Sequence, residues 1–203
     1  MIAFIGDVHR AFDRLTTIVD GLPAEIGAVV QVGDLGLRPS DLAAAERCAL
    51  RLARPMYFIS GNHDYEPWFR ELGVPTEVAP NLIYIPRGAV LSLDARRVAF
   101  LGGGDSVVDR ARRREGVDWW PDEQVTGEHV ASLDATGPVD LMVTHTPPAA
   151  VYPFFGYPPD PSAREVERAW ELLGRPPIVC GHLHRSRAVG PVRVLAELEL
   201  LLL

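Results

Sequence analysis

Residues 56 to 64 read MYFISGNHD: an apolar, strand-like run that stops at Gly61 and is followed at once by Asn62, His63 and Asp64. An amide oxygen, an imidazole and a carboxylate are all groups that bind metals or move protons. The construction recurs along the chain. Ile2 to Ile5 runs into Gly6-Asp7-Val8-His9, and Ala28 to Val32 into Gly33-Asp34. Asp140 to Thr144 runs into His145, and Ile178 to Cys180 into Gly181-His182-Leu183-His184. In extended chain, Asp7 and His9 share a face. Five of the six histidines fall in this set, and only His129 stands outside it. Any one of these residues alone reads as a cap or a core hydrogen bond; together they read as a metal centre. Imidazole with carboxylate suits Mn, Fe or Zn, whereas Mg and Ca prefer all-oxygen sites. Asp7, His9, Asp34, Asn62, His63, His145, His182 and His184 are too many ligands for one ion, which implies two, bridged by a carboxylate. Two ions ~3.5–4 Å apart stabilise both the attacking and the leaving oxygen in phosphoryl-ester hydrolysis.

The elements that must deliver these residues begin in strict alternation. After the strand Ile2 to Ile5, Leu15, Ile18, Val19 and Leu22 mark a helix over 12–22, ended by Pro23. A strand over Ala28 to Val32 follows, then an Ala-rich helix capped by Ser40-Asp41 and running to Arg54, then the strand that precedes Gly61. Three such units favour a parallel sheet with right-handed crossovers, whose strand ends meet at one edge. Leu82 to Ile85, Ala89 to Leu93 and Arg97 to Leu101 then read as short antiparallel strands, with Asp94-Ala95-Arg96 as a hairpin loop.

Gly102-Gly103-Gly104 reads as a tight backbone crossing near the centre. Residues 103–122 read as a long loop carrying Arg110, Arg112, Arg113 and Arg114, taken as solvated ahead of a contact to substrate phosphate, and Trp119-Trp120, taken as its apolar anchor. A helix is expected over 122–133 with His129 on its surface, and a proline- and aromatic-rich, lid-like loop over 149–161 that suits a substrate lid or a dimer contact. A helix over 162–173 and the strand Ile178 to Cys180 complete the site-bearing part. The tail reads as a closing hairpin whose apolar end, Val194 to Leu203, suits a buried edge strand or a homodimer interface.

Composition narrows the function classes. The 203 residues suit a single domain over 1–203, and a net charge of −7 argues against an extended nucleic-acid-binding face. All 20 basic residues are Arg, so P-loop, Schiff-base and Ser–Lys chemistries are ruled out. No run approaches the ~20 apolar residues of a membrane span. Two distant cysteines, Cys48 and Cys180, make no disulfide framework, and a cytoplasmic location is expected.

The ordered motifs G-D-x-H, G-D, G-N-H-D, T-H and G-H-x-H, from Asp7 to His184, resemble the calcineurin-like metallophosphoesterase superfamily. The resemblance implies a four-layer α/β/β/α sandwich with two mixed sheets, in keeping with a parallel half followed by an antiparallel one. It implies that Asp7, His9 and His184 bind one metal, that Asn62, His145 and His182 bind the other, and that Asp34 bridges them. His63 would then face the substrate, protonating the leaving group or stabilising the transition state, while a metal-bridging hydroxide attacks phosphorus in line. Leu37 stands where the protein phosphatases of this superfamily carry an acid, which argues against a Ser/Thr phosphatase. His63 stands where its lipid-A-pathway pyrophosphatases carry Arg. Arg10 and Arg38 are candidate contacts to substrate. The expected activity is hydrolysis of a small phosphorylated substrate, a phosphodiester ahead of a phosphomonoester, with two divalent ions, Mn2+ first and Fe or Zn as alternatives. A non-catalytic interaction scaffold is the contrasting reading, and the intact set of ligand residues weighs against it.

Overall fold

In the computed structural model, residues 1–43, 52–107 and 110–203 are described. The strand β1 (Ile2–Ile5) is buried along its whole length, as expected of a strand covered on both faces. Ile2 and Phe4 point into one apolar layer, and Ala3 and Ile5 into another. Helix α1 (Phe12–Asp20) lays Phe12, Leu15 and Val19 on the second of these layers and ends at Gly21. The strand β2 (Ala28–Gln31) follows, parallel to β1. Helix α2 (Pro39–Ala43) starts slightly before the expected cap. Most of the remainder of the Ala-rich helix, and Cys48, lie outside the described residues, while 52–54 are non-helical. Pro55 accounts for that end, because the residue before a proline is pushed out of the α region.

The strand β3 (Met56–Phe58), the short helix α3 (Glu66–Phe69), β4 (Thr76–Ala79) and β5 (Leu82–Tyr84) complete the first sheet, in the order β12-β1-β2-β3-β5-β4. Here two expectations fail. The strand β4 is unexpected, and β5 lies parallel to β3 instead of joining an antiparallel middle. The hairpin of β6 (Val90–Leu93) and β7 (Arg96–Leu101) is antiparallel as expected, on a two-residue loop. Asp94 and Ala95 both have positive φ, 48° and 63°, as a primed turn matching strand twist requires.

The second sheet has the order β10-β11-β9-β8-β7-β6, with β8 (Leu141–Thr144) and β9 (Ile178–Cys180) parallel to β7 at its centre. Helix α4 (Gly127–Ala131) is far shorter than the span expected over 122–133. Residues Pro121–Glu123 form a separate 3-10 turn, and extended backbone at Thr126 starts α4 afresh. His129 is half-buried and closes a capping box with Thr126; burial pushes its imidazole pKa down to about 4. The expected lid is instead a 3-10 helix, Ala149–Phe155, with Val151, Tyr152 and Phe155 buried. It packs beside α5 (Pro161–Leu172), whose N-cap is Asp160. The closing hairpin forms from β10 (Arg187–Val189) and β11 (Val192–Val194). The leucine run then crosses to the other sheet as β12 (Leu200–Leu202), an edge strand antiparallel to β1 with Leu200 and Leu202 exposed.

Alternate residues explain the layers. Phe4, Val30, Val98, Phe100, Leu141, Val143 and Val179 fill the space between the two sheets. Their neighbours in sequence face outward, toward α1 on one side and toward α5 on the other. The result is two mixed six-stranded sheets face to face with helices outside. No described helix is long and apolar enough to cross a membrane.

Candidate metal centre

The carboxyl ends of β1, β2, β3, β8 and β9 converge on one rim, and each delivers its polar residues in the first few positions beyond the strand. Asp7, His9, Asp34 and His184 offer ligand atoms that all lie within 4.8 Å of one another, a set able to hold a metal ion. His9 Nε2 and His184 Nε2 face each other at 3.0 Å, and His184 Nε2 stands 3.1 Å from Asp7 Oδ2. A second cluster lies alongside. Asn62 Oδ1 is 3.1 Å from His145 Nε2 and 3.0 Å from His182 Nδ1. Asp34 touches both groups, with Oδ1 at 3.4 Å from His145 Nε2 and Oδ2 at 3.8 Å from His9 Nε2.

The surroundings orient the donors. His145 Nδ1 donates to the Val32 carbonyl at 3.0 Å, which leaves Nε2, aimed at Asn62 and Asp34, as the nitrogen that could bind a metal once deprotonated. Asn62 Nδ2 donates to Ser106 Oγ at 3.2 Å, turning its amide oxygen inward. Asp64 accepts from Gly36 N at 2.6 Å and from Gly61 N at 2.8 Å, tying the β2 and β3 loops together. Two glycines are required by close approach. A Cβ at Gly33 would overlap the His145 ring, and one at Gly181 would overlap the Asp7 carboxylate.

The backbone is strained here. His9, Asp34, His182 and His184 all adopt left-handed φ, from 46° to 70°. Each such residue costs of order 1–3 kcal/mol, and such residues cluster where function demands them.

The electrostatics call for positive charge. Burial alone would push the Asp34 carboxyl up, but the imidazoles of His145, His63 and His9 outweigh it and hold it well below the usual carboxylate range. Burial likewise opposes a charged His145, yet the Asp34 and Asp7 carboxylates push its pKa up to about 9. Asp34 Oδ2 is buried and accepts no hydrogen bond among the described residues. A buried, charged oxygen that accepts no hydrogen bond, among convergent imidazole nitrogens, fits a divalent cation, which offsets the carboxylates without a proton.

The other residues singled out from sequence are placed as follows. His63 is exposed at the mouth, its ring 4.9 Å from that of His9, and its backbone N–H donates to Asp34 Oδ1 at 2.8 Å. The Arg10 guanidinium forms a bidentate pair with Asp41, at 2.9 and 2.8 Å, and also donates to the Gly36 carbonyl. Arg38 is exposed, and its backbone N–H donates to Asp41; among the described residues no hydrogen bond or ion pair puts its side chain on the cluster. Trp119 is buried under Arg110 and donates to Glu123 Oε1 at 2.9 Å, which makes it the anchor of the loop. The glycine run crosses β3, with Gly103 N donating to the Ser60 carbonyl at 2.7 Å.

Two placements at the site go beyond the preferred sequence reading, which took the arginines of 110–114 as solvated and did not single out Asp160. One is Arg113, in contact with His63. The other is Asp160, whose Oδ2 lies 3.8 Å from His182 Nε2 while its carboxylate also caps α5 and accepts from the Tyr152 hydroxyl. An acid immediately before a helix reads as a cap, and nothing local ties it to a histidine beyond the end of β9. Asp160→Asn retains a good cap but loses the charge behind His182. It is expected to weaken binding of one metal ion about 10–100-fold, the usual cost of altering a ligand's partner, with little change in Tm. Metal titration checks this, and unaltered affinity would remove Asp160 from the support of His182.

No curated protein matches the chain. Residues 1–186 match the family model Calcineurin-like phosphoesterase. Taken with the fold and the Asp/His cluster, that match makes this chain a member of the calcineurin-like phosphoesterases, and a metal-dependent phosphoesterase.

Proposed function

We propose that a single domain over 1–203 hydrolyses a small phosphate ester, a diester in preference to a monoester, at a centre of two divalent ions. The observation that carries this reading is Asp34: one carboxylate faces both groups of ligand atoms, and its buried Oδ2 accepts no hydrogen bond among the described residues. Asp7, His9 and His184 would hold one ion, Asn62, His145 and His182 the other, and Asp34 both. The mixed nitrogen and oxygen donors favour Mn2+, with Fe or Zn as alternatives. When bound, such a pair supplies a nucleophile at neutral pH and neutralises charge on the phosphoryl oxygens.

The chain's own residues do the rest. Asp34 orients the two halves of the site and, through Oδ1, fixes the backbone of His63. His63, exposed at the mouth, would give a proton to the leaving oxygen. The glycine crossing and the Trp119 anchor hold the 102–107 segment against Asn62 and limit water on that side. Leu37 is fully buried in the apolar layer under β1 and β2, so no acid at that position orients the catalytic histidine as in the protein phosphatases. That favours the diester over a phosphoprotein substrate. A cytoplasmic location belongs to the same reading.

The test is hydrolysis of bis-p-nitrophenyl phosphate against p-nitrophenyl phosphate by chelated protein reloaded with Mn2+. Faster cleavage of the diester is the expected result. Faster cleavage of the monoester would overturn the diester preference, and turnover of neither ester with two ions bound would count against the reading as a whole.

A further inference from the structure

The loop over the site carries four arginines close together, and their contacts differ. Arg110 lies over the Trp119 ring at 4.1 Å, and Arg112 and Arg114 are exposed. Arg113 turns inward. Its NH1 donates to the Asn62 carbonyl at 3.0 Å and to Ser106 Oγ at 3.1 Å. Its NH2 lies against the His63 ring, 2.7 Å from Nε2 and also in contact with Nδ1.

The anchoring is built, not incidental. Ser106 Oγ also accepts from Asn62 Nδ2, so one hydroxyl joins the arginine to a proposed metal ligand. Glu123 Oε1 accepts from Ser106 N at 2.8 Å and from Trp119 Nε1, closing the loop behind Arg113. Arg87 in turn donates to the carbonyls of Asp122, Glu123 and Gln124, fixing the base of that closure.

The contact with His63 itself is poorly matched. A guanidinium only donates and stays charged, while a neutral imidazole has one lone pair and one N–H. Lying against both ring nitrogens, NH2 meets one acceptor and one competing donor. An anionic oxygen entering between the two would accept from both. Arginine's fork also suits the paired non-bridging oxygens of a phosphoryl group.

We infer that Arg113 binds substrate, its guanidinium and the His63 imidazole forming the two sides of a slot for the phosphoryl oxygens of the ester. This rests on the phosphoesterase reading above and assigns the substrate's anion to a residue outside the five strand-end motifs. His63 thereby meets the leaving oxygen on an ester already held in place.

The experiment is calorimetric titration of the Mn2+-loaded chain with inorganic phosphate, for wild type, R113A, R113K and R114A, with metal content and Tm measured on each. R113A is expected to bind phosphate about 10- to 100-fold more weakly, the cost of a lost charge-assisted hydrogen bond, with metal content and Tm retained. R113K should fall between, R114A should match wild type, and added guanidinium should restore part of the affinity of R113A. Phosphate affinity unchanged in R113A would overturn the proposal, as would a wild type that binds no phosphate. Loss of metal in both R113A and R113K would also overturn it, leaving Arg113 as scaffold. If wild type cleaves neither nitrophenyl ester, the phosphoesterase reading fails, and the phosphate titration still decides Arg113.

Discussion

Asp34→Asn is expected to reduce turnover to background and to lower metal content, while the chain still unfolds in one cooperative transition. Asn has nearly the shape of Asp, and its Oδ1 can still accept from the His63 backbone N–H as Asp34 does at 2.8 Å. The Asp34 carbonyl accepts from Val8 and His9 whatever the side chain. What the substitution removes is a negative charge. The carboxylate is fully buried and faced by three imidazoles, and in the proposed function its charge serves a cation. A neutral amide cannot offset two divalent ions across one bridge. The loss should exceed the ~10–100-fold that follows from altering a mere partner of a ligand. Metal analysis with steady-state hydrolysis checks the result, and full activity in this variant would refute the shared role of Asp34. A Tm equal to or above that of wild type would fit a residue kept for function at the expense of stability.

The opposite pattern is expected of His63→Ala. His63 is exposed, and it is not part of the Asp7, His9, Asp34, His184 cluster. It stands beside that cluster, with its ring edge-on to His9. Both ions should therefore stay bound while turnover falls about 10²–10⁴-fold, the range for a lost acid–base group, or roughly 3–5 kcal/mol of transition-state stabilisation. The deficit should be smallest for esters with good leaving groups, which need little protonation. Loss of a metal ion in this variant would make His63 a ligand and exchange its role with one of the other histidines. Measured side by side, the two variants separate metal loss from proton-transfer loss.

Much of the site was legible because its residues are covalently tied to strand ends. An apolar run that stops at a glycine delivers its next side chains to the sheet rim, wherever the strand sits in the sheet. Asp7 and His9, Asp34, Asn62, and His182 with His184 all obey that local rule, and His145 follows its strand directly with no glycine between. The start of α1 and the bounds of β9 were equally plain, since Leu15 and Val19 repeat at helical spacing and Gly174 to Pro177 precede three buried apolar residues, while α1 ends at Asp20, two residues short of the expected Leu22. The lid expected over 149–161 failed for a reason of the same kind. Proline and aromatic content suggested a surface loop, but 3-10 geometry tolerates Pro153 and turns Val151, Tyr152 and Phe155 into the core.

By itself the sequence determined which side chains reach the rim, because adjacency to a strand and its two-residue period are properties of a few consecutive residues. Tertiary structure alone decided that β5 lies parallel to β3 and that β12 leaves its hairpin to pair with β1. An apolar tripeptide fits an edge of either sheet, and only the packing of the whole layer selects one. Tertiary structure also set Asp160 behind His182 and Arg113 against His63. Those contacts join separate segments of the chain, so no local spacing announces them, and they exist because two sheets and a long loop close over one rim.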